Sequence, residues 1–333
     1  MKSMETTNKF RIRVRMFGAA AAMAALLPLA SHAADTYPSR PINLIVPFAP
    51  GGGTDISARL LASELGRKMN VSIVVDNRPG AGGQIAADYV ARAKPDGYTL
   101  LFANSGMLAI NPWLYKLHND PAKAFEPVSM FSDLPFVLVV SNSLKAKNVQ
   151  ELVALAKAEP GKHTFASSGI GGAPHLAGEI FQEATGVKLA HIPYKGGGPA
   201  MTDLIAGRVD MLFASVLETV AYVKGGKLRA FAVTGDKRAP VMPDVPTLDE
   251  AGIHNAQTGS WTAVLVPKGT PKDIVDKLSA TIREIAASKS IEDKLTSQGA
   301  VAHGSTPEEL AKIAADSRAR YGKIIKERHL SLN

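Results

Sequence analysis

Ile42-Asn-Leu-Ile-Val-Pro-Phe-Ala-Pro-Gly-Gly-Gly-Thr-Asp55 passes from a branched apolar run, through three glycines, into a helical pattern. Residues 42–48 have the composition of a buried strand. In 54–69, Ile56, Leu60, Leu61, Leu65 and Met69 share one helix face. Outward from there the rhythm repeats, with a strand at 71–75, a helix at 84–93 and a strand at 99–103. Strands and helices alternating over short loops predict a parallel sheet with helices on both faces.

A second series opens with a strand at 136–140. It continues with a helix at 149–158, a strand at 164–166 and a helix at 173–184. Strands near 188–193 and at 211–214 flank a helix at 199–206, and a strand at 228–234 ends the series. Residues 264–266 read as one more strand. Thr270-Pro271 and Thr306-Pro307 each place a capping hydroxyl before a proline at the first helical position, and Thr306 with Glu309 fits a capping box. There is no heptad and no strict repeat, which argues against coiled coils and solenoids. The expectation is two α/β domains. Residues 34–134 and 235–333 form the first, residues 135–234 the second, and the two chain crossings make a hinge with the ligand cleft beside it.

The chain has 333 residues, 46% of them hydrophobic and 20% charged, and no cysteine. That apolar share supports real cores. The missing cysteines exclude disulfides, thiolate catalysis, cysteine-ligated metals and a lipidated N-terminal cysteine. Lys2, Lys9, Arg11, Arg13 and Arg15 against Glu5 supply half of the formal net charge of +8. The remainder is spread along the chain without a basic stripe or clustered aromatics, so nucleic acid is not the expected partner. Residues 1–33 read as a secretory signal: a charged start, an apolar run from Met16 to Ala30, and Ser31-His32-Ala33 as the cleavage site. The apolar run is short for a bilayer span, which needs about 20 residues. The expected mature protein is soluble and periplasmic.

Three strand-to-helix turns share one design. They are Pro50-Gly-Gly-Gly-Thr-Asp55, Ser167-Ser-Gly-Ile-Gly-Gly-Ala-Pro-His175 and Tyr194-Lys-Gly-Gly-Gly-Pro199. Glycine lets a ligand approach the backbone, and a helix N-terminus offers unpaired N–H groups and about half a positive charge. Such termini, converging on one cleft, would hold a carboxylate or phosphate without a cationic side chain. Tight αβ turns also need glycine for their own sake, so convergence is the point to be established. Enzyme signatures are missing. No turn closes in Gly-Lys-[Ser/Thr], Gly169-Ile-Gly-Gly-Ala-Pro174 meets the dinucleotide fingerprint only in part, and there is no G-x-S-x-G. The eight histidines never stand three or four apart, so helix-type zinc spacing is absent and neither metal nor cofactor is expected.

Single residues leave alternatives open. Asp55 reads either as a helix-start carboxylate favoured by the dipole or as a hydrogen-bonding group of the site. Lys195 either pairs with a ligand anion or is a solvated loop lysine. His175 reads as a structural residue rather than a proton shuttle. Phe48 and Trp261 either stack on a ligand ring or pack in the core.

The run Tyr37-Pro-Ser-Arg-Pro through Gly51-Gly-Gly-Thr-Asp55 resembles the opening motif of the Bug family, the substrate-binding receptors of tripartite tricarboxylate transporters. Val75-Asp-Asn-Arg-Pro-Gly-Ala-Gly-Gly83, Lys94-Pro-Asp-Gly-Tyr-Thr-Leu100 and Ile192-Pro-Tyr-Lys-Gly-Gly-Gly-Pro-Ala200 carry the resemblance onward, as do Gly226-Lys-Leu-Arg-Ala230, Pro243-Asp-Val-Pro-Thr247 and Pro267-Lys-Gly-Thr-Pro271. It covers nearly the whole mature chain. It implies a two-domain periplasmic binding protein of type II-like α/β fold, each domain a mainly parallel sheet. Such a receptor closes on a small carboxylate and hands it to membrane permease subunits. The ligands implied are di- and tricarboxylates, amino acids and aromatic acids. Carried over by position, Gly51, Gly52, Gly53, Thr54 and Asp55, together with Ser167, Ser168, Gly171 and His175, would grip the carboxylate. Ser105, Tyr194 and Lys195 would complete the wall. Met107 and the apolar stretch 213–217, which includes Ser215, depart from the family pattern. They would shape the distal pocket and favour a less charged or aromatic acid.

The leading expectation is therefore a monomeric transport receptor without catalytic residues. A receptor docking on a sensor kinase is the alternative, and an exported enzyme acting on a carboxylate is a third reading without a nucleophile or metal constellation to support it.

Overall fold

The computed structural model describes residues 37–327, and the expected signal segment lies outside them. The opening rhythm is realised as β1 (Ile42–Val46), α1 (Gly53–Met69), β2 (Ile73–Asn77), α2 (Gln84–Ala91) and β3 (Thr99–Asn104). β1 lies between β2 and β3 and pairs with both in parallel, Leu44 standing opposite Val75 and Leu100. A single π-helical turn, Gly106–Ile110, leads into the short helices α3 (Asn111–Leu114) and α4 (Pro121–Ala124).

β4 follows and runs from Phe125 to Ser141. The expected strand at 136–140 is only its far end. The near end, Phe125-Glu-Pro-Val-Ser-Met-Phe-Ser-Asp-Leu-Pro135, reads as a loop because of its prolines and serines, yet both features are accommodated in a sheet. The register shifts between Pro127 and Ser129, a bulge of the kind where a missing N–H breaks no ladder bond. Ser132 Oγ lies 2.8 Å from both Ser57 Oγ and Thr262 Oγ1, and Ser129 Oγ accepts the Ser305 N–H at 3.0 Å.

The second series is α5 (Val149–Ala158), β5 (Thr164–Ser167), α6 (Ala173–Thr185), β6 (Ala190–Pro193), α7 (Gly197–Ile205), β7 (Met211–Ser215), α8 (Val216–Lys224) and β8 (Leu228–Val233). The chain then returns as β9 (Gly259–Pro267), α9 (Lys272–Ala286), α10 (Lys289–Thr296), β10 (Val301–Ala302) and α11 (Pro307–Glu327). Helix α11 has the expected capping box: Thr306 Oγ1 accepts the Glu309 N–H at 3.2 Å and Glu309 Oε2 accepts the Thr306 N–H at 2.8 Å. Thr270 does not cap α9. Its hydroxyl donates to the Pro267 carbonyl at 2.7 Å and closes the preceding turn, leaving Pro271 at the cap position.

The strands form one sheet in the order β2-β1-β3-β9-β4-β7-β5-β6, with β8 and β10 also pairing β4. The parallel pairs lie where the sequence places them, at β1 with β2 and β3 and at β5 with β6 and β7. The antiparallel strands β4 and β9 make the sheet mixed. Two halves meet on β4. Leu134 and Pro135 still pair with Ser260 and Gly259 of β9, whereas Phe136 pairs with Ser215 of β7. Beyond that point β4 alternates with period two. Leu138 and Val140 enter a core with Phe165, Phe181 and Phe213, and Val137 and Val139 enter another with Met201, Leu204 and Leu212. The first half has its own core around Ile45, Leu101, Met130 and Ala263, into which Met107 and Trp261 are packed.

Candidate ligand-binding site

A cavity of about 40 Å³ lies over the point where β4 passes from one half of the sheet to the other, and Leu134 and Phe136 line it. Four helices bring first-turn residues to it, Pro174 coming from α6. Gly52 and Gly53 come from the start of α1, Gly197 from α7, and Ser215 with Glu218 from α8. The approach is close enough that any added side chain would have to displace its neighbour. A Cβ on Gly52 would stand 3.1 Å from the Gly197 nitrogen, and one on Gly197 would stand 2.6 Å from Glu218 Oε2.

The carboxyl group of Glu218 is where the termini of α1 and α8 meet. The N–H of Gly53, from the opposite half of the sheet, donates to Glu218 Oε2 at 2.5 Å, and the Ser215 N–H donates to the same carboxylate. The second contact is half of a capping box, Ser215-Val-Leu-Glu218. The other half is not made. Ser215 Oγ is buried in the cavity wall without a hydrogen-bond partner. Burial pushes the Glu218 carboxyl up to about 7, although both N–H groups favour its ionised form.

Asp55 also lines the cavity, but its charge is compensated in place. It accepts hydrogen bonds from the Gly51 N–H at 2.9 Å, Arg59 Nε at 3.0 Å and Asn77 Nδ2 at 2.8 Å. Burial would raise its pKa, and these three donors outweigh burial and hold it below the ordinary value. Gly51, with φ +89°, serves to turn the chain and bond Asp55.

Of the other expected residues, Phe48, Thr54, Ser168 and Ser215 line this cavity. Ser105 stands behind it. It is fully buried and bonds Ser260 Oγ at 2.9 Å, and Ser260 is the residue that faces the cavity. Tyr194 and Lys195 line a second cavity of about 250 Å³, which shares Phe48 and Ser168 with the first. The Tyr194 hydroxyl is engaged by Asp203 at 2.8 Å, and its pKa is pushed up to about 12, by burial first and then by that bond. Met107 lines neither cavity. It is fully buried in the core of the first half, so it does not shape a distal pocket.

Ser167, Gly171 and His175 lie behind the wall. The Gly171 N–H donates to His175 Nδ1 at 3.2 Å, and the His175 ring stacks on His191 with centroids 4.0 Å apart. Ser167 Oγ and His191 Nε2 are 2.7 Å apart, a serine–histidine pair in form. Two facts exclude nucleophilic chemistry there. Ser167 is fully buried and lines neither cavity. Burial, then the neighbouring His175, lowers the His191 pKa to about 3, too low for a general base near neutrality. His175 is likewise lowered by burial, to about 4.

Asn104, Leu134, Phe136, Pro174, Leu212, Glu218 and Ser260 complete the first cavity and were not expected. The signal for Glu218 was its S-x-x-E spacing from Ser215. It is hidden because Val216, Thr219, Val220 and Val223 give α8 the composition of a strand.

Residues 57–330 match the tripartite tricarboxylate transporter family receptor. The chain is similar to the protein BugT of Bordetella pertussis, 40% identical over 298 residues that cover 88% of this chain and 91% of BugT. Among solved structures it is similar to R. palustris Rpa4515 with adipate, with 36% identity, a TM-score of 0.86, and 89% of this chain and 99% of that one covered. It is also similar to the periplasmic binding protein BugD, with 37% identity, a TM-score of 0.85, and 89% and 99% covered. The resemblance read from the sequence motifs and the α/β binding-protein fold therefore stand, and the chain belongs to the tripartite tricarboxylate transporter receptor family, a family of binding receptors rather than enzymes.

Proposed function

We propose that this protein is an extracytoplasmic receptor that closes on a small carboxylic acid and delivers it to a tripartite tricarboxylate-type permease. The observation that carries this reading is the cavity at the β4 crossing, where helix termini from both halves of the sheet meet around a buried, unpartnered Ser215 hydroxyl. A cavity of about 40 Å³ holds a few waters at most. Admitting a dicarboxylate such as the adipate of Rpa4515 requires the walls to part. Residues 34–134 with 235–333, and residues 135–234, are the bodies that would separate, and differential affinity for the closed arrangement would drive closure. Phe48, Gly52, Gly53, Thr54, Ser168 and Ser215 are the expected ligand contacts, with Tyr194 and Lys195 at the second cavity.

Export and binding are tested together. Expressed with its own residues 1–33, the protein is expected in the periplasmic fraction with a mass beginning at Ala34. That material is then screened by thermal shift against small carboxylic acids and their amides. Ligand at about 100 times Kd adds roughly 2.7 kcal/mol of stability. A shift with acids and not with amides supports the reading, and equal shifts with both overturn it.

A further inference from the structure

Among the described residues, the first cavity is lined by two carboxylates and no cationic side chain. Asp55 is compensated by Arg59, Asn77 and the Gly51 N–H, whereas Glu218 is held only by backbone N–H groups. The remaining lining residues, contributed by β3, β4, α6, α7, β7 and β9 and by the turns beside them, have no ionisable side chain. The second cavity is the reverse. Among the described residues Lys195 is its one charged lining residue, exposed just past the end of β6. Phe48 and Ser168 belong to both cavities, so a single small molecule could span them.

We propose that Glu218 selects the ligand by charge, occupying the seat at Gly53 and Ser215 that a ligand carboxylate would otherwise take. The cleft then accepts a small zwitterion, with its ammonium or another N–H donor on Glu218 and its carboxylate toward Ser168 and Lys195. The inference rests on the small-acid receptor reading. A second carboxylate at the Glu218 end would have to displace the Glu218 side chain or bind it protonated, because two ionised carboxylates cannot share the same donors. An ammonium there needs Glu218 ionised. Its binding therefore strengthens as pH rises through 7 and weakens below it, and a dicarboxylate shows the opposite trend.

Two measurements test this. The first needs no ligand. With ¹⁵N-glycine labelling, the Gly53 amide signal is expected to move between pH 5 and 9 with a midpoint near 7 in the wild type and to stay still in Glu218→Gln. A Gly53 signal that does not titrate in the wild type overturns the seating of Glu218. The second is calorimetry at pH 8 with succinate against 3-aminopropanoate and adipate against 5-aminopentanoate, pairs in which an ammonium replaces one carboxylate. The amino acid of at least one pair is expected to bind about ten times more tightly than its dicarboxylate. It should weaken about tenfold at pH 6, and E218Q should remove the preference. Tighter binding of the dicarboxylates by the wild type, or the same preference in E218Q and E218A, overturns the charge selection and leaves the receptor reading in place. Binding of none of the four compounds, at either pH and by any of the proteins, overturns the charge selection, and the acid and amide screen then decides the receptor reading.

Discussion

The glycine turn before α1 and the glycine turn before α6 stand on opposite halves of the sheet and dispose of their N–H groups in different ways. At α6 the turn is closed on itself. The Gly169 N–H bonds Ser167 Oγ at 3.1 Å, the Gly172 N–H bonds the Gly169 carbonyl at 3.2 Å, and the Gly171 N–H bonds the buried His175 ring. At α1, Gly51 is used in the same inward way on Asp55, but the Gly53 N–H points across the cleft to Glu218. A glycine-rich turn thus reveals that donors exist, and side chains far away in sequence decide whether they face inward or outward.

The largest expected effect comes from breaking the closed turn. His175→Ala removes a buried ring from the stack with His191 and leaves the Gly171 N–H without its acceptor, at a cost of about 2–4 kcal/mol in chemical denaturation. It should also flatten the acid limb. The folded-state pKa values of His175 and His191 lie below that of a free histidine, so the stability they confer is complete above pH 6.5 and is lost as pH falls toward 4. An unchanged midpoint would show the turn to be held by its serine and glycine bonds alone.

Gly52→Leu attacks the other turn. Its φ of −84° suits any residue, so the fold is expected to survive, while the added side chain wedges against Gly197 across the cleft. Ligand affinity should fall by about a hundredfold, or about 2.8 kcal/mol, with little change in melting temperature. Retained affinity would mean that the bound form does not bring α1 and α7 together.

A change of similar size sharpens the comparison through pH. Glu218 has a raised folded-state pKa, so its ionisation opposes folding. Relative to E218Q the wild type should be equally stable at pH 4 and lose about 3 kcal/mol as pH rises through 7, the reverse of the histidine trend. Parallel curves for the two proteins in thermal denaturation would contradict this. The smallest effect belongs to Ser168→Ala, which removes one hydroxyl shared by both cavities. A loss of about threefold to tenfold in ligand affinity is expected by calorimetry, the scale of one hydrogen bond.

The sheet was legible wherever a short, mostly apolar run gave way to glycine within a few residues, as at β1, β3 and β5. It was illegible along β4, where Pro127 and Ser132 look like loop residues until partners such as Ser57 and Thr262 are seen to satisfy them. In the site, Gly52, Gly53 and Ser168 could be read because a turn announces itself locally. Glu218 could not, since its meaning depends on Gly53, 165 positions away. Ser105 and His175 were read as site residues because they sit in the right segments. Which way a side chain leaves its segment is settled by packing, and both point behind the wall.

β4 has a mechanical consequence. One unbroken backbone holds ladder bonds to β9 on one side of Pro135 and to β7 and β8 on the other. Sliding one half of the sheet along the other would have to break those ladders, whereas torsion about the strand axis between Leu134 and Phe136 leaves every pair intact. In such a motion the strand would act as a torsion rod. The section between Leu134 and Phe136 borders the cavity, so a twist there would part Gly52 from Gly197 and break the bond from Gly53 to Glu218.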